Sequence, residues 1–285
     1  MNLRPGATVA LFAPAGAVNS GDLEKGLEIL ESWGLRVSVP ERILSRHRYL
    51  AGRDEERLEE LESLLNKGFD ALWAARGGYG CIRLLPALSR LPLPPNPPLL
   101  LGFSDLTALL NPLVLKGIPA WHAPTVNFLP RLTPQTLETL RGLLFGESPV
   151  ILRGRTLQPG EACGPLLGGN LATLVSLMGT PYFPDLRGAL LFLEETGEAL
   201  YRLDRYLTQL ALAGIFEHIS GLILGSMGVP TSEILPLLEE LLPPSLPVGV
   251  DFPLGHSALT RAFPLGKTFR LLAAGKEASL TQTND

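Results

Sequence analysis

The chain has 285 residues, of which 46% are hydrophobic and 18% charged, and its formal net charge is −4. That composition excludes a disordered chain and supplies one large or two medium cores, while the mild acidity and the lack of a basic run argue against nucleic-acid and membrane-surface partners. No stretch approaches the roughly 18 apolar residues of a membrane-spanning helix, and the apolar run at 8–14 is too short for a secretory leader. The two cysteines, Cys81 and Cys163, are too far apart for a motif and read as reduced thiols of a cytosolic protein.

Residues 8–13 read as a first strand, ending in the tight turn Pro14-Ala15-Gly16. A helix capped by Ser20 follows, with Leu23, Leu27, Leu30 and Trp33 on one face and Gly34 as its stop. Residues 35–39 form a second strand. Residues 53–67 form an amphipathic helix, with Leu58, Leu61, Leu64 and Leu65 opposite its glutamates. A third strand at 69–75 runs into Arg76-Gly77-Gly78-Tyr79-Gly80. After a short helix at 82–88 and the proline-rich LPLPPNPPLL, a strand at 99–103 meets a helix at Ser104, and a short strand at 119–122 ends at His122. This alternation of strand and helix predicts a parallel sheet with helices on both faces.

The turn-rich segment 151–164 reads as a linker between an N-terminal α/β domain (1–150) and a smaller C-terminal α/β domain (165–285). In the latter, Gly168-Gly169-Asn170 opens a helix at 171–178, and a strand at 189–193 ends in Glu194 and Glu195. A helix at 201–212, a strand at 222–225, a helix at 232–242 and a strand at 248–252 follow, leading to Leu254-Gly255-His256. Residues 269–274 and 278–281 make a closing hairpin.

Ser104 stands at the carboxyl end of a buried strand, where open α/β sheets place their ligand crevice, and beside the amides of a helix N-terminus. A serine there either caps the helix or serves as a nucleophile. A nucleophile needs a base; His122 and His256 both follow strands, and the Gly-Pro setting of His256 puts it on a loop. The third partner is a carboxylate at a strand end. Glu194 and Glu195 are adjacent, so their side chains point to opposite faces and at most one meets a common cleft. Amides of Gly77-Gly78 and of Asp105 offer an oxyanion hole. RGGYG lacks the GK[ST] ending of a phosphate loop, and the GxSxG elbow of ordinary esterases is absent.

At these residues the chain resembles the LD-carboxypeptidases, serine peptidases that include the microcin C immunity hydrolases. The resemblance runs through Ala13-Pro-Ala-Gly16, Tyr49-Leu-Ala-Gly52 with Arg57, Ala75-Arg-Gly-Gly-Tyr-Gly80 and Gly102-Phe-Ser-Asp105. It continues through Gly168-Gly-Asn-Leu171, Leu191-Phe-Leu-Glu-Glu195 with Tyr201-Arg-Leu-Asp-Arg205, and Gly249-Val-Asp-Phe-Pro-Leu-Gly-His256. It implies a flavodoxin-like N-terminal sheet domain carrying the nucleophile Ser104, and a swivelling-type C-terminal domain carrying Glu194 and His256. It also implies Gly78 and Asp105 as oxyanion donors, no metal or other cofactor, and a cytoplasmic homodimer acting on murein tetrapeptides. Asn170 and Arg205 are further candidates for substrate or support contacts. Two departures stand out: Ala-Pro-Ala-Gly replaces the family's Ala-Pro-Ser, and the segment between Asn170 and Glu194 is short and lacks tryptophan. The second favours murein peptides over the aminoacyl-nucleotide analogues of the immunity branch.

Overall fold

The computed structural model describes residues 2–283, which divide into two compact units. The first comprises residues up to Ser148 together with Ala262–Pro264. Its elements are β1 (Thr8–Phe12), α1 (Ser20–Ser32), β2 (Arg36–Ser38), α2 (Asp54–Leu65), β3 (Ala71–Ala74), α3 (Leu85–Leu88), β4 (Leu99–Gly102), α4 (Thr107–Leu115), β5 (Ala120–His122) and α5 (Pro134–Leu144). The strands lie in the order β5-β4-β3-β1-β2 and all pair in parallel, with Ala10 opposite Leu72, Trp73 opposite Leu101 and Leu101 opposite Trp121. Phe263–Pro264 adds an antiparallel edge strand beside β5.

This is the parallel sheet that the strand and helix alternation predicts, in the flavodoxin-like order that the family resemblance implies. Every residue of β3 and β4 is buried, as strands covered on both faces require. The buried positions of α2, Arg57, Leu61, Leu64 and Leu65, recur at helical spacing. The cap of α1 is Asn19 rather than Ser20: its side chain accepts from Asp22 N at 3.3 Å. Strand order reverses between β1 and β3, so the loops following those two strands flank the switch point at which such sheets bind ligands.

The second unit comprises Pro149–Arg261 and the residues from Leu265 onward. It contains β6 (Ile151–Gln158), β7 (Gly160–Asn170), α6 (Leu171–Ser176), β8 (Leu190–Glu194), α7 (Leu200–Leu212), α8 (Ile215–His218), β9 (Gly221–Leu224), α9 (Thr231–Leu241) and β10 (Val248–Val250). With β11 being the Phe263–Pro264 edge strand of the first unit, the chain ends in β12 (Thr268–Ala274) and β13 (Glu277–Gln282). Seven strands close into a barrel in the order β10-β6-β13-β12-β7-β8-β9. The β12/β13 hairpin agrees with the predicted one.

The expected linker at 151–164 is not a loop. It forms β6 and the first half of β7, paired antiparallel with β13 and β12. Its glycines permit close strand approach: a Cβ on Gly154 would lie 2.5 Å from the Phe252 ring. No helix among the described residues is long and apolar enough to cross a membrane.

Candidate active site

In the first unit, β4 ends at Gly102 because the chain must turn at once. A Cβ there would lie 2.7 Å from Leu106 Cγ, so the turn folds back onto the strand only over glycine. Phe103 remains extended and Ser104 adopts φ +63°, a left-handed conformation costing a non-glycine residue about 1–2 kcal/mol. Such strain persists where the surrounding structure over-determines it, and it clusters at functional sites. Ser104 is half-exposed, whereas Phe103, Asp105 and Leu106 around it are buried. Its side chain caps no helix: the residue preceding the helical turn is Phe103, and no side-chain cap bond forms. The capping alternative is therefore not what the turn uses.

The Arg76–Gly80 loop, at the end of β3, comes directly against this serine. A Cβ on Gly77 would lie 2.9 Å from Ser104 Cβ and 3.0 Å from its Oγ, so only glycine lets the backbone approach so closely. Gly16 N donates to Gly77 O at 3.0 Å, tying in the loop after β1. Gly78 sits at φ +108°, and its nearest neighbour in the direction of a side chain is Gly16. The glycine whose Cα faces the serine is thus Gly77, a distinction that the pattern RGGYG alone does not carry. The Asp105 carboxylate is buried and accepts from Cys81 N at 2.8 Å. Burial raises its pKa above the ordinary value, opposed by that amide and by the nearby Arg57 charge. His122 is buried between Phe103, which meets it edge-on, and Phe263, which stacks on it, so it serves the core.

In the second unit, β8 delivers Glu194 into the interior, where it is fully buried. Its Oε2 lies 2.7 Å from His256 Nδ1. The histidine arrives on the loop after β10, and the residue before it is necessarily glycine. A Cβ on Gly255, which has φ +82°, would lie 2.5 Å from Glu194 Cβ. Gly255→Ala is therefore expected to push His256 off Glu194 with the fold retained by circular dichroism; if His256 is the base of a catalytic site, an ångström-level misplacement of this kind lowers kcat by about 10² or more. The corner of this loop is Asp251, at φ +60°. Its carboxylate is held by Arg155 Nε at 2.9 Å and by the Thr231 hydroxyl.

Glu195 faces the other way, as strand alternation requires. It accepts from Asn170 Nδ2, Ala172 N and Thr196 N, each at 2.8 Å. Burial raises its pKa, and those three donors oppose the rise. Asn170 caps α6 through Thr173 N at 3.0 Å and is itself buried. The structure thus gives Asn170 a supporting place beside Glu195. Arg205 lies exposed on α7, its guanidinium 5.7 Å from the centre of the Tyr201 ring. Among the described residues, no group of three or more His, Cys, Asp or Glu side chains is arranged to hold a metal ion.

Comparison with known proteins identifies the family of the chain. The family profile of the LD-carboxypeptidase N-terminal domain matches residues 9–123, and that of the C-terminal domain matches residues 163–271. A putative carboxypeptidase of Streptomyces coelicolor is 39% identical over 93% of this chain and 90% of its own length. The murein tetrapeptide carboxypeptidase of Pseudomonas aeruginosa is 37% identical over 91% of each. Among solved structures, a muramoyltetrapeptide carboxypeptidase from Oxalobacter formigenes superposes with a TM-score of 0.82 at 27% identity, over 97% of this chain and 99% of that one. An MccF-like protein from Bacillus anthracis reaches a TM-score of 0.87 at 21% identity over 99% of both chains, a likeness of fold.

Proposed function

Because the chain belongs to the LD-carboxypeptidase family, we propose that it is a serine carboxypeptidase that hydrolyses the L,D peptide bond of murein tetrapeptides and releases terminal D-alanine. The observation that carries this reading is the strained, half-exposed Ser104 at the end of β4, in a family whose relative at 37% identity is named for that substrate.

In this reading Ser104 Oγ attacks the scissile carbonyl while His256 Nε2 takes its proton. Glu194, on Nδ1, fixes the ring orientation and stabilises the imidazolium that forms. The amides of Gly78 and Asp105 hold the oxyanion; in comparable sites each donor contributes roughly 10²–10³ in rate. Collapse of the intermediate breaks the C–N bond, and His256 returns the proton to the departing D-alanine amine. Water, deprotonated by the same histidine, then hydrolyses the acyl-serine and regenerates Ser104. The nucleophile belongs to the N-terminal domain and the Glu194–His256 pair to the C-terminal one. The reading includes a cytoplasmic homodimer that needs no metal or other cofactor and takes no nucleic-acid or membrane partner. Light scattering at twice the 30.7 kDa chain mass supports the dimer, and a single-chain mass contradicts it.

The alternative is hydrolysis of aminoacyl-nucleotide analogues, the ligand class named for MccF, whose fold this chain shares at 22% identity. All three tryptophans precede residue 122, so the segment between Asn170 and Glu194 has no indole on which to stack a base. Parallel assays with murein tetrapeptide and with aspartyl sulfamoyl adenosine separate the two. The expected kcat/KM ratio is at least about 10² in favour of the tetrapeptide, as missing polar and stacking partners would dictate. A ratio reversed toward the nucleotide would overturn the substrate assignment while leaving the triad in place.

A further inference from the structure

Two buried side chains with no assigned step in the reaction grip the Arg76–Gly80 loop. Arg57, on the first turn of α2, is only 3% exposed despite its charge. Its Nη1 donates to Pro14 O, in the loop after β1, and to Gly80 O at 3.1 Å. Its Nη2 donates to Asp54 Oδ1 at 2.6 Å, and Arg83 Nε in turn donates to Asp54 at 2.8 and 2.9 Å. From the opposite end of the same peptide group, Cys81 N donates to the buried Asp105 Oδ2 at 2.8 Å. The Gly80–Cys81 peptide thus has its carbonyl on a guanidinium and its N–H on a carboxylate. Glycine at position 80 is required by the fit: a Cβ there would lie 2.7 Å from both Arg57 Nη1 and Leu50 Cδ2, at φ +138°.

We propose that Arg57 and the Asp105 carboxylate are positioning residues for the oxyanion loop, clamping the Gly80–Cys81 peptide so that Gly77 and Gly78 are fixed against Ser104. This inference rests on the reading of Ser104 as nucleophile and of the glycine loop as oxyanion donor. A buried guanidinium is costly unless its N–H groups find partners; here Nη1 finds the loops after β1 and β3, and Nη2 finds Asp54 on the same helix. Asp105 reaches Cys81 from the nucleophile's own turn, so serine and loop are held as one body. Arg57 extends the tie to β1 through Pro14, and the Gly16–Gly77 bond repeats it. Donors fixed before the charge develops need no reorganisation during the reaction, which is the source of their effect.

The test compares wild type, Arg57→Met, Arg57→Lys, Asp105→Asn and the Arg57→Met/Asp105→Asn double variant on murein tetrapeptide. Its readouts are kcat and KM taken separately, and affinity for a tetrapeptide analogue carrying a tetrahedral phosphinate at the scissile carbonyl. Affinity for the tripeptide product and thermal unfolding serve as controls. For Arg57→Met, kcat is expected to fall by about 10² with KM within about twofold, the phosphinate affinity falling by the same factor and product affinity unmoved. Arg57→Lys lies between, since an ammonium keeps the charge without the planar fork. The double variant loses less than the product of the single losses, because both arms hold one peptide.

A folded Arg57→Met enzyme with unchanged kcat and phosphinate affinity overturns the proposal. If Arg57→Met does not fold, the nearly isosteric Asp105→Asn decides by the same two readouts. A folded wild type that releases no D-alanine overturns the functional reading itself and the clamp with it; that outcome is seen before any variant is compared.

Discussion

Replacing Ser104 by glycine is expected to abolish turnover and yet give a more stable protein than replacing it by alanine. Loss of the hydroxyl removes the nucleophile, and losses on the order of 10⁴–10⁶ in kcat accompany such a deletion in serine hydrolases. Stability follows the backbone. At φ +63°, an alanine retains the clash of Cβ with its own carbonyl, whereas glycine has none. The glycine variant should therefore exceed the alanine variant by about 1 kcal/mol, or a few degrees in Tm, the reverse of their order in an ordinary helix. Denaturant unfolding of the two variants checks this. An alanine variant as stable as the glycine one would mean that the left-handed turn is not maintained in solution.

Glu194→Gln is expected to lower kcat by about 10³–10⁴ with the fold intact. In the proposed mechanism the carboxylate, 2.7 Å from His256 Nδ1, accepts its N–H, which leaves Nε2 as the nitrogen that takes the serine proton. A glutamine can turn its NH₂ toward Nδ1, which then must accept, placing the ring proton on Nε2 where it blocks base catalysis. Turned the other way, its NH₂ occupies the site of Glu194 Oε1, a buried oxygen with no hydrogen-bond partner among the described residues, and goes unsatisfied. Both orientations fail. Glu195→Gln should behave differently, since Glu195 accepts from Asn170 and from the amides of Ala172 and Thr196. Kinetic measurement of both glutamine variants tests the split; equal losses would contradict the separate roles of the neighbours.

The parallel sheet was legible because its central strands β3 and β4 are short, fully apolar runs, with helices of clear 3.6-residue period in the same half of the chain. The same pattern located Ser104, although nothing in GFSD reveals the left-handed backbone that distinguishes a nucleophile from a cap. The period of two set Glu194 and Glu195 on opposite faces, and the family resemblance chose Glu194. The first barrel strands were not legible, for a physical reason. In β6 only Leu152 is fully buried, and glycines such as Gly154 and Gly164 stand where neighbouring strands press close, so the segment reads as polar and turn-rich. Helix α5 lies outside the predicted elements even though Thr133, which accepts from Thr136 N, and Pro134 form an ordinary helix start. Asn170 shows a further limit: a cap and a substrate contact use the same side-chain atoms, and only the coordinates show Thr173 and Glu195 as its partners. The role of Arg57 was hidden likewise, since its contacts come from loops 23 and 43 residues distant.

The most direct test of the central claim is mass-spectrometric detection of D-alanine released from murein tetrapeptide, for wild type and for Ser104→Ala, with EDTA present throughout. The account predicts release by wild type that EDTA does not diminish and that the alanine variant lacks. Undiminished release by Ser104→Ala, or none by the folded wild type, would contradict it.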